Sequence, residues 1–532
     1  MLKQKFLIFS LFLALVLLLI FNHYIPFGRW PLQEAGATLV YARGHDSLTL
    51  DPALAQDDES NKVISNIFEG LVRFKPGTTE IEPCLAEAWH VSADGLDWTF
   101  YLKRGVNFHD GTPFNAEAVR FNVERQLPPR RTEDMAYAPF VFDMIEKIST
   151  LDLYTVRFSL KYPYAPLLHN LAMPMAAPMV SPAAVTELGE KFGSRPVGTG
   201  PFKLVKWVKE EKIILEANHD YWGEQPEFKR LVFTVVKNSR LRSLALKAGM
   251  ADIIDGIDHS NIRLLEQSGL SIIKKCGLDI NYLGFFTNKK PFDNAVVRRA
   301  VSMSIDREQL LSGLYQQDAC AANGPLPPGV LGYDPGLRPL SYDPEGGKEL
   351  LAESGHPDGI KITIITYSDT RAYNPAGGEK LAAAIKGDLA RVGIEVEIKA
   401  YPWDQYKEAL YKEEGNAFLY GWSSDNGDPD NFLYTLLSSL QIESGLNTAH
   451  YQNNNVDLLL VKAQRETAPK LREEMYREAV KLIMQDEPWA ILNHSLLLVA
   501  TAPQIEGFSP QSNGNIFLAN VKNIPLITEN IK

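Results

Sequence analysis

The rhythm of apolar and polar positions divides the chain beyond residue 37 into short strands and amphipathic helices. Alternating or continuous apolar runs predict strands at 39–42, 98–102, 154–160, 202–207, 213–217 and 231–236, with a short one at 251–255. Val63, Ile64, Ile67, Phe68 and Leu71 recur at helix spacing, and helical patterns cover 83–89, 116–126, 239–248 and 295–315. Asp94-Gly95 predicts a hairpin turn before 98–102. In the second half, helices at 344–354 and 377–392 alternate with strands at 360–366 and 394–398, which is the order of a mostly parallel α/β lobe. Helices at 456–463 and 471–486 lead to two strands, 489–494 and 496–500.

One stretch interrupts this rhythm. Gly421-Trp422-Ser423-Ser424-Asp425-Asn426-Gly427-Asp428-Pro429-Asp430-Asn431-Phe432 gathers three carboxylates, two amides, a tryptophan, two glycines and a proline. An apolar run, 417–420, precedes it and a helical run, 432–437, follows. The stretch therefore reads as a loop from the end of a buried strand into a helix, where open α/β sheets bind ligands. Asp428 or Asp430 would cap the helix with Pro429 in its first turn, leaving another carboxylate free.

Composition narrows the class. The 532 residues are 45% hydrophobic and 22% charged, as in a soluble protein of two to four domains. A net charge of −11 argues against a nucleic-acid binder. Lys3 and Lys5 precede an apolar run at 6–21, followed by a linker to about residue 37. That pattern is either a cleaved export signal, with Ala35-Gly36-Ala37 as a small-x-small site, or a membrane anchor facing the bulk of the chain outward. Cys84, Cys276 and Cys320 could pair in any combination after export, with buried thiols as the favoured reading. The ten histidines show no paired ligand spacing, and neither a phosphate loop nor a GxSxG elbow is present. No metal, cofactor or catalytic residue is therefore expected, and a secreted hydrolase is disfavoured.

Several segments in order resemble one family. They are Glu69-Gly70-Leu71-Val72, 82–89 (Glu-Pro-Cys-Leu-Ala-Glu-Ala-Trp), 102–111 (Leu-Lys-Arg-Gly-Val-Asn-Phe-His-Asp-Gly), 196–202 (Pro-Val-Gly-Thr-Gly-Pro-Phe), Lys289-Lys290-Pro291-Phe292-Asp293 and Val297-Arg298-Arg299-Ala300. Together they resemble the family 5 extracellular solute-binding proteins of ABC importers over about residues 38–530. The 421–432 stretch resembles the pocket loop of the dipeptide-binding branch. The resemblance implies a two-lobed α/β fold of the periplasmic-binding-protein type (type II, cluster C). Lobe I would be 38–290 with an inserted subdomain at about 75–190, lobe II 291–494, and 495–532 a return to lobe I. The hinge is expected near 286–291 and 493–496.

The implied function is a monomeric, exported, non-enzymatic receptor, periplasmic or on the outer face of the cytoplasmic membrane. It would hand short peptides to ABC permease subunits served by separate ATPase subunits. A nickel chelate or haem as ligand, and a peptide-sensing surface receptor without transport, are the alternatives.

A free peptide carries an ammonium and a carboxylate, and each needs a countercharge in a cleft that excludes water. Related dipeptide binders place an aspartate at the position of Asp425 on the amine, and carry an Arg-x-Tyr-Asn-Pro segment matching Arg371-Ala372-Tyr373-Asn374-Pro375. Arg371 is accordingly assigned to the ligand carboxylate, which a guanidinium grips with two parallel hydrogen bonds. Trp422, Tyr420 and Trp403 are candidates for pocket walls. Gly198, Thr199 and Gly200 would offer backbone groups from the first lobe, or form a plain tight turn.

Overall fold

A computed structural model describes residues 37–524, so the expected export signal or anchor lies outside the described residues. Among the described residues no helix is long and apolar enough to cross a membrane.

The first lobe is built on Thr38–Arg43, which pairs in parallel with Arg230–Val235 on one side and Ile253–Asp255 on the other. Lys212–Ala217 and Phe202–Val208 extend the sheet antiparallel. Helix Asp58–Ile67 starts where the Asp57 side chain accepts the Ser60 N–H. It buries Val63, Ile64 and Ile67 in the same apolar core as Leu39, Leu215 and Phe233. The inserted subdomain has its own four-stranded antiparallel sheet, ordered Ala86–Val91, Asp97–Leu102, Thr155–Leu160, Ile145–Asp152, and its own core around Phe100 and Phe158.

The 83–89 segment, expected to be helical, runs into strand Ala86–Val91 instead. Trp89 and Val91 lie opposite Phe100 and Trp98 across the Asp94-Gly95 turn. Cross-strand packing overrides the helix preference of its Ala, Leu and Glu residues.

In the second lobe, Ile360–Tyr367 pairs in parallel with Ile394–Tyr401 along its whole length and with Ala417–Ser423 on its other side. Asp279–Phe285 and the first half of Trp489–Thr501 complete this sheet antiparallel, so it is mixed rather than mostly parallel. The single helix expected at 295–315 is broken after Ala295–Met303. Asp306 accepts the Gln309 N–H and starts a new turn.

Trp489–Thr501 is one unbroken strand, not two. Its first half pairs with Asp279–Phe285, and its second half with Ser271–Cys276 and Ile253–Asp255. The chain thus passes between lobes at 276–279 and again along this strand near 493–496. The first passage lies earlier than the expected 286–291, because Asp279–Phe285 is already bonded into the second-lobe sheet through Ala417–Ser423.

Beside the passage, Cys276 and Cys320 form a disulfide. Cys276 lies opposite Leu496 and Cys320 opposite His494. Only Cys84 is a buried free thiol, which corrects the expectation for the other two. The bridge closes a span of 44 residues. A Cys276→Ser/Cys320→Ser variant should lose about 2–4 kcal/mol of stability in urea denaturation. An unchanged midpoint would show that strand pairing alone holds the passage together.

Candidate functional site

Because Ile360–Tyr367, Ile394–Tyr401 and Ala417–Ser423 are parallel, their carboxyl ends share one edge of the sheet. The loops leaving that edge carry Arg371, Trp403 and the 421–432 stretch. Trp403 lies parallel to Tyr420, with ring centroids 6.1 Å apart and planes 6° apart. The Arg371 guanidinium sits 3.5 Å from the Trp403 ring centroid. Tyr367 and Tyr406 pack edgewise around this stack. Gly421 has no side chain to obstruct the Tyr373 ring: a Cβ there would lie 2.3 Å from it.

The Arg371 loop is held from behind. Arg371 and Asn374 exchange backbone hydrogen bonds of 3.1 and 2.9 Å. Buried Asn374 donates to the Tyr367 hydroxyl at 2.9 Å and accepts from the Tyr315 hydroxyl at 3.0 Å. Asn281 donates to both Tyr315 and Asn493 at 3.0 Å, which carries the network to the lobe passage. Arg371 itself has a buried Nε with no hydrogen-bond partner, and it pairs with no carboxylate among the described residues. A guanidinium fixed over an aromatic face and lacking an anion is prepared for one.

The carboxylates of the 421–432 loop divide. Asp428 is fully buried and receives both terminal nitrogens of Arg472, at 2.7 and 2.6 Å, with His169 at 3.2 Å. Burial would raise its carboxyl, but the Arg472 charge, helped by His169, holds it below the usual range. Asp430 accepts from Gln464 and is pushed up to about 7 by burial and by the charge of Asp428. Asp428 also accepts the Asp430 N–H, while helix Asp430–Leu437 starts at Pro429 with no side-chain cap of its own. The expected capping role therefore falls to Asp428 alone and comes second to its ion pair.

Asp425 has no cation. One of its oxygens accepts the Tyr137 hydroxyl at 2.9 Å, and its backbone carbonyl accepts from Asn513 at 3.1 Å. Burial pushes its carboxyl up to about 6, with the charge of Asp58 adding to the rise. Next to it, Asn426 donates to Asn170 at 2.8 Å. Tyr137, His169 and Asn170 all come from the inserted subdomain, so this loop is where the subdomain meets the second lobe. Trp422 donates from its indole to Asn431 at 2.9 Å, bracing the two ends of the loop.

Between the lobes lies a cleft of about 450 Å³, bordered by Tyr41, Asp58 and Lys62 on one side, Pro375 on the other and Leu496–Val499 at its back. Among the described residues no group of three or more His, Cys, Asp or Glu side chains is arranged to hold a metal ion.

A model of one family, described as Bacterial extracellular solute-binding proteins, family 5 Middle, matches residues 80–444. The chain belongs to this family. It is 33% identical over 496 residues to Heme-binding protein A of Haemophilus influenzae, covering 90% of each chain. It is 31% identical over 504 residues to the Dipeptide-binding protein of Escherichia coli K12, covering 91% of this chain and 94% of that one. The structure of HbpA2 from Haemophilus parasuis superposes with a TM-score of 0.87 at 29% identity, covering 92% of this chain and all of the other. The two-lobed α/β architecture is that of the family.

The structure of this family 5 protein brings Arg371, Trp403, Tyr420, Trp422 and Asp425 to one sheet edge. Gly198, Thr199 and Gly200 are engaged elsewhere. Gly198 exchanges bonds with His109, and the Gly200 N–H donates to the Ile67 carbonyl at 2.9 Å. The Gly200 carbonyl accepts from Asn218, and buried Thr199 donates to Glu69 at 2.9 Å. The glycines do permit a close approach, since a Cβ on Gly198 would lie 2.2 Å from the Ile67 carbonyl oxygen, but the partner is the protein's own backbone. This is the tight-turn reading. Sequence reasoning missed Tyr137, His169 and Arg472, which reach the loop only through the tertiary fold.

The state of Asp425 has a consequence for stability. Its carboxyl is raised by folding, so the folded protein holds a proton there between about pH 4 and pH 6 that the unfolded chain releases. The ligand-free protein therefore loses stability as pH rises through that window and recovers none above it. Asp425→Asn should raise the melting temperature of the empty protein at neutral pH, by up to about 3 kcal/mol in free energy, with the gain gone below about pH 4. A neutral-pH loss would show that the carboxylate is stabilising as it stands.

Proposed function

We propose that this solute-binding protein captures short peptides, dipeptides first, in the cleft between its lobes. The observation that supports this most is a pair of opposite charges at neighbouring strand ends, Asp425 and Arg371, neither matched by an opposite charge of the protein. The two charged ends of a dipeptide lie roughly 5–7 Å apart at ordinary backbone rise. Asp425 takes the ammonium, Arg371 takes the carboxylate, and Trp403, Tyr420 and Trp422 wall the side-chain space. Hinge bending at 276–279 and 493–496 then closes the cleft, and water-filled pockets accommodate varied side chains.

The protein acts as a receptor and not as an enzyme. It delivers its ligand outside the cytoplasm to a membrane permease, and a separate subunit hydrolyses ATP. The relative named for dipeptides supports the peptide reading. The relative named for haem is similar to the same degree, so haem belongs in the test.

Calorimetry with alanyl-phenylalanine should show binding, and Arg371→Ala should weaken it about a hundredfold or more, as expected for removing one partner of a desolvated charge pair. The C-terminal amide of the same dipeptide should bind weakly to both proteins. No heat with any dipeptide, together with stoichiometric haem or nickel in the purified protein, would overturn the peptide reading.

A further inference from the structure

We propose that Asp58 is the first lobe's counterpart to Asp425, so that one carboxylate from each lobe holds the ligand's ammonium and the cleft closes fully only around a cation. As to the cation's identity, the proposal rests on the peptide reading. Asp58 is the first residue of helix Asp58–Ile67 and stands accessible on the cleft wall. The charges around it are already matched. Asp57 turns to the N–H and hydroxyl of Ser60. Glu59 pairs with Arg43 and Lys62, and Lys62 also with Asp255, which in turn accepts the Tyr41 hydroxyl. Arg242 is spent on the backbone carbonyls of Val236, Lys237, Asp255 and Gly256. Asp318, at the rim, pairs with His259. Among the described residues, Asp58 is the carboxylate of this wall left with no hydrogen bond or ion pair.

A first-turn acid is favoured by the helix dipole, which explains a carboxylate here without any ligand. It does not explain what lies opposite. The Tyr137 hydroxyl joins the inserted subdomain to Asp425, and the negative charge of Asp58 reaches both groups, raising the phenol and the carboxyl alike. Two like charges, one from each lobe, therefore act on one small volume, while the buried Nε of Arg371 lacks a partner on the second-lobe side. Closing on nothing drives the carboxylates together. Closing on a zwitterion with its ammonium between them and its carboxylate at Arg371 satisfies all three.

Two measurements test this. In calorimetry, Asp58→Asn should weaken alanyl-phenylalanine about tenfold, the effect of one lost charge-assisted hydrogen bond, and leave the weak binding of its N-acetyl form unchanged. Equal affinity of the variant and the natural protein for the free dipeptide, or an equal loss with both forms, would overturn the proposal. Small-angle scattering of the empty proteins at about pH 8, where carboxylates are ionised, needs no ligand. Asp58→Asn should give a smaller radius of gyration than the natural protein, because the repulsion that props the lobes apart is gone. If the natural protein binds neither form of the dipeptide, the peptide reading falls and the scattering decides alone, identical curves counting against the role of Asp58.

Discussion

A charge that leaves water must meet an opposite charge or change its protonation. That constraint sorts the carboxylates of the 421–432 loop into structural and available ones. Asp428 meets Arg472 in a two-pronged buried pair and can stay ionised. Asp430, beside it, has no cation left to use and is pushed up to about 7. Asp425 is given a neutral donor, Tyr137, and no cation. Two strands away, Arg371 lies on Trp403 with no anion. The protein thus anchors its pocket loop with one matched pair and leaves one charge of each sign for something it does not itself supply.

The frame that makes this possible is the strand Trp489–Thr501, which belongs to both lobes. Because one strand threads the two sheets, the lobes are joined only where the chain steps across it, at 276–279 and 493–496, with the Cys276–Cys320 bridge alongside. A buried run of amides and hydroxyls, Asn493, Asn281, Tyr315 and Asn374, leads from that passage to the Arg371 loop. The loop that would grip a ligand carboxylate is therefore fixed to the part of the molecule that bends. The Asp425 loop touches the opposite lobe directly through Tyr137 and Asn170. Each end of the site is in contact with the machinery of closure.

Much of this could be read from the chain. Strand-to-helix loops announce themselves by an apolar run, a cluster of Gly, Asp, Asn and Pro, and a new periodicity, and both the Asp425 and Arg371 loops fall where that pattern puts them. Local signals failed where pairing partners are remote. The 83–89 segment has helix-forming residues, and only Asp97–Leu102 beside it makes a strand of it. Nothing near Phe286 marks the passage, since it is the bonding of Asp279–Phe285 to Ala417–Ser423 that assigns that strand to the second lobe. The Cys276–Cys320 pairing needs the shared strand to bring the two together. Arg472, His169 and Tyr137 looked like ordinary helix or loop residues, and the glycines of 198–200 signalled a close approach without saying to what.

The most direct measurement is a crystal structure of the protein with alanyl-phenylalanine bound. The account predicts the ligand ammonium within hydrogen-bond distance of the Asp425 carboxylate and its carboxylate on the Arg371 guanidinium, with the side chains against Trp403, Tyr420 and Trp422. A dipeptide held with its charged ends on other groups, and Asp425 and Arg371 left as they are in the empty protein, would contradict it.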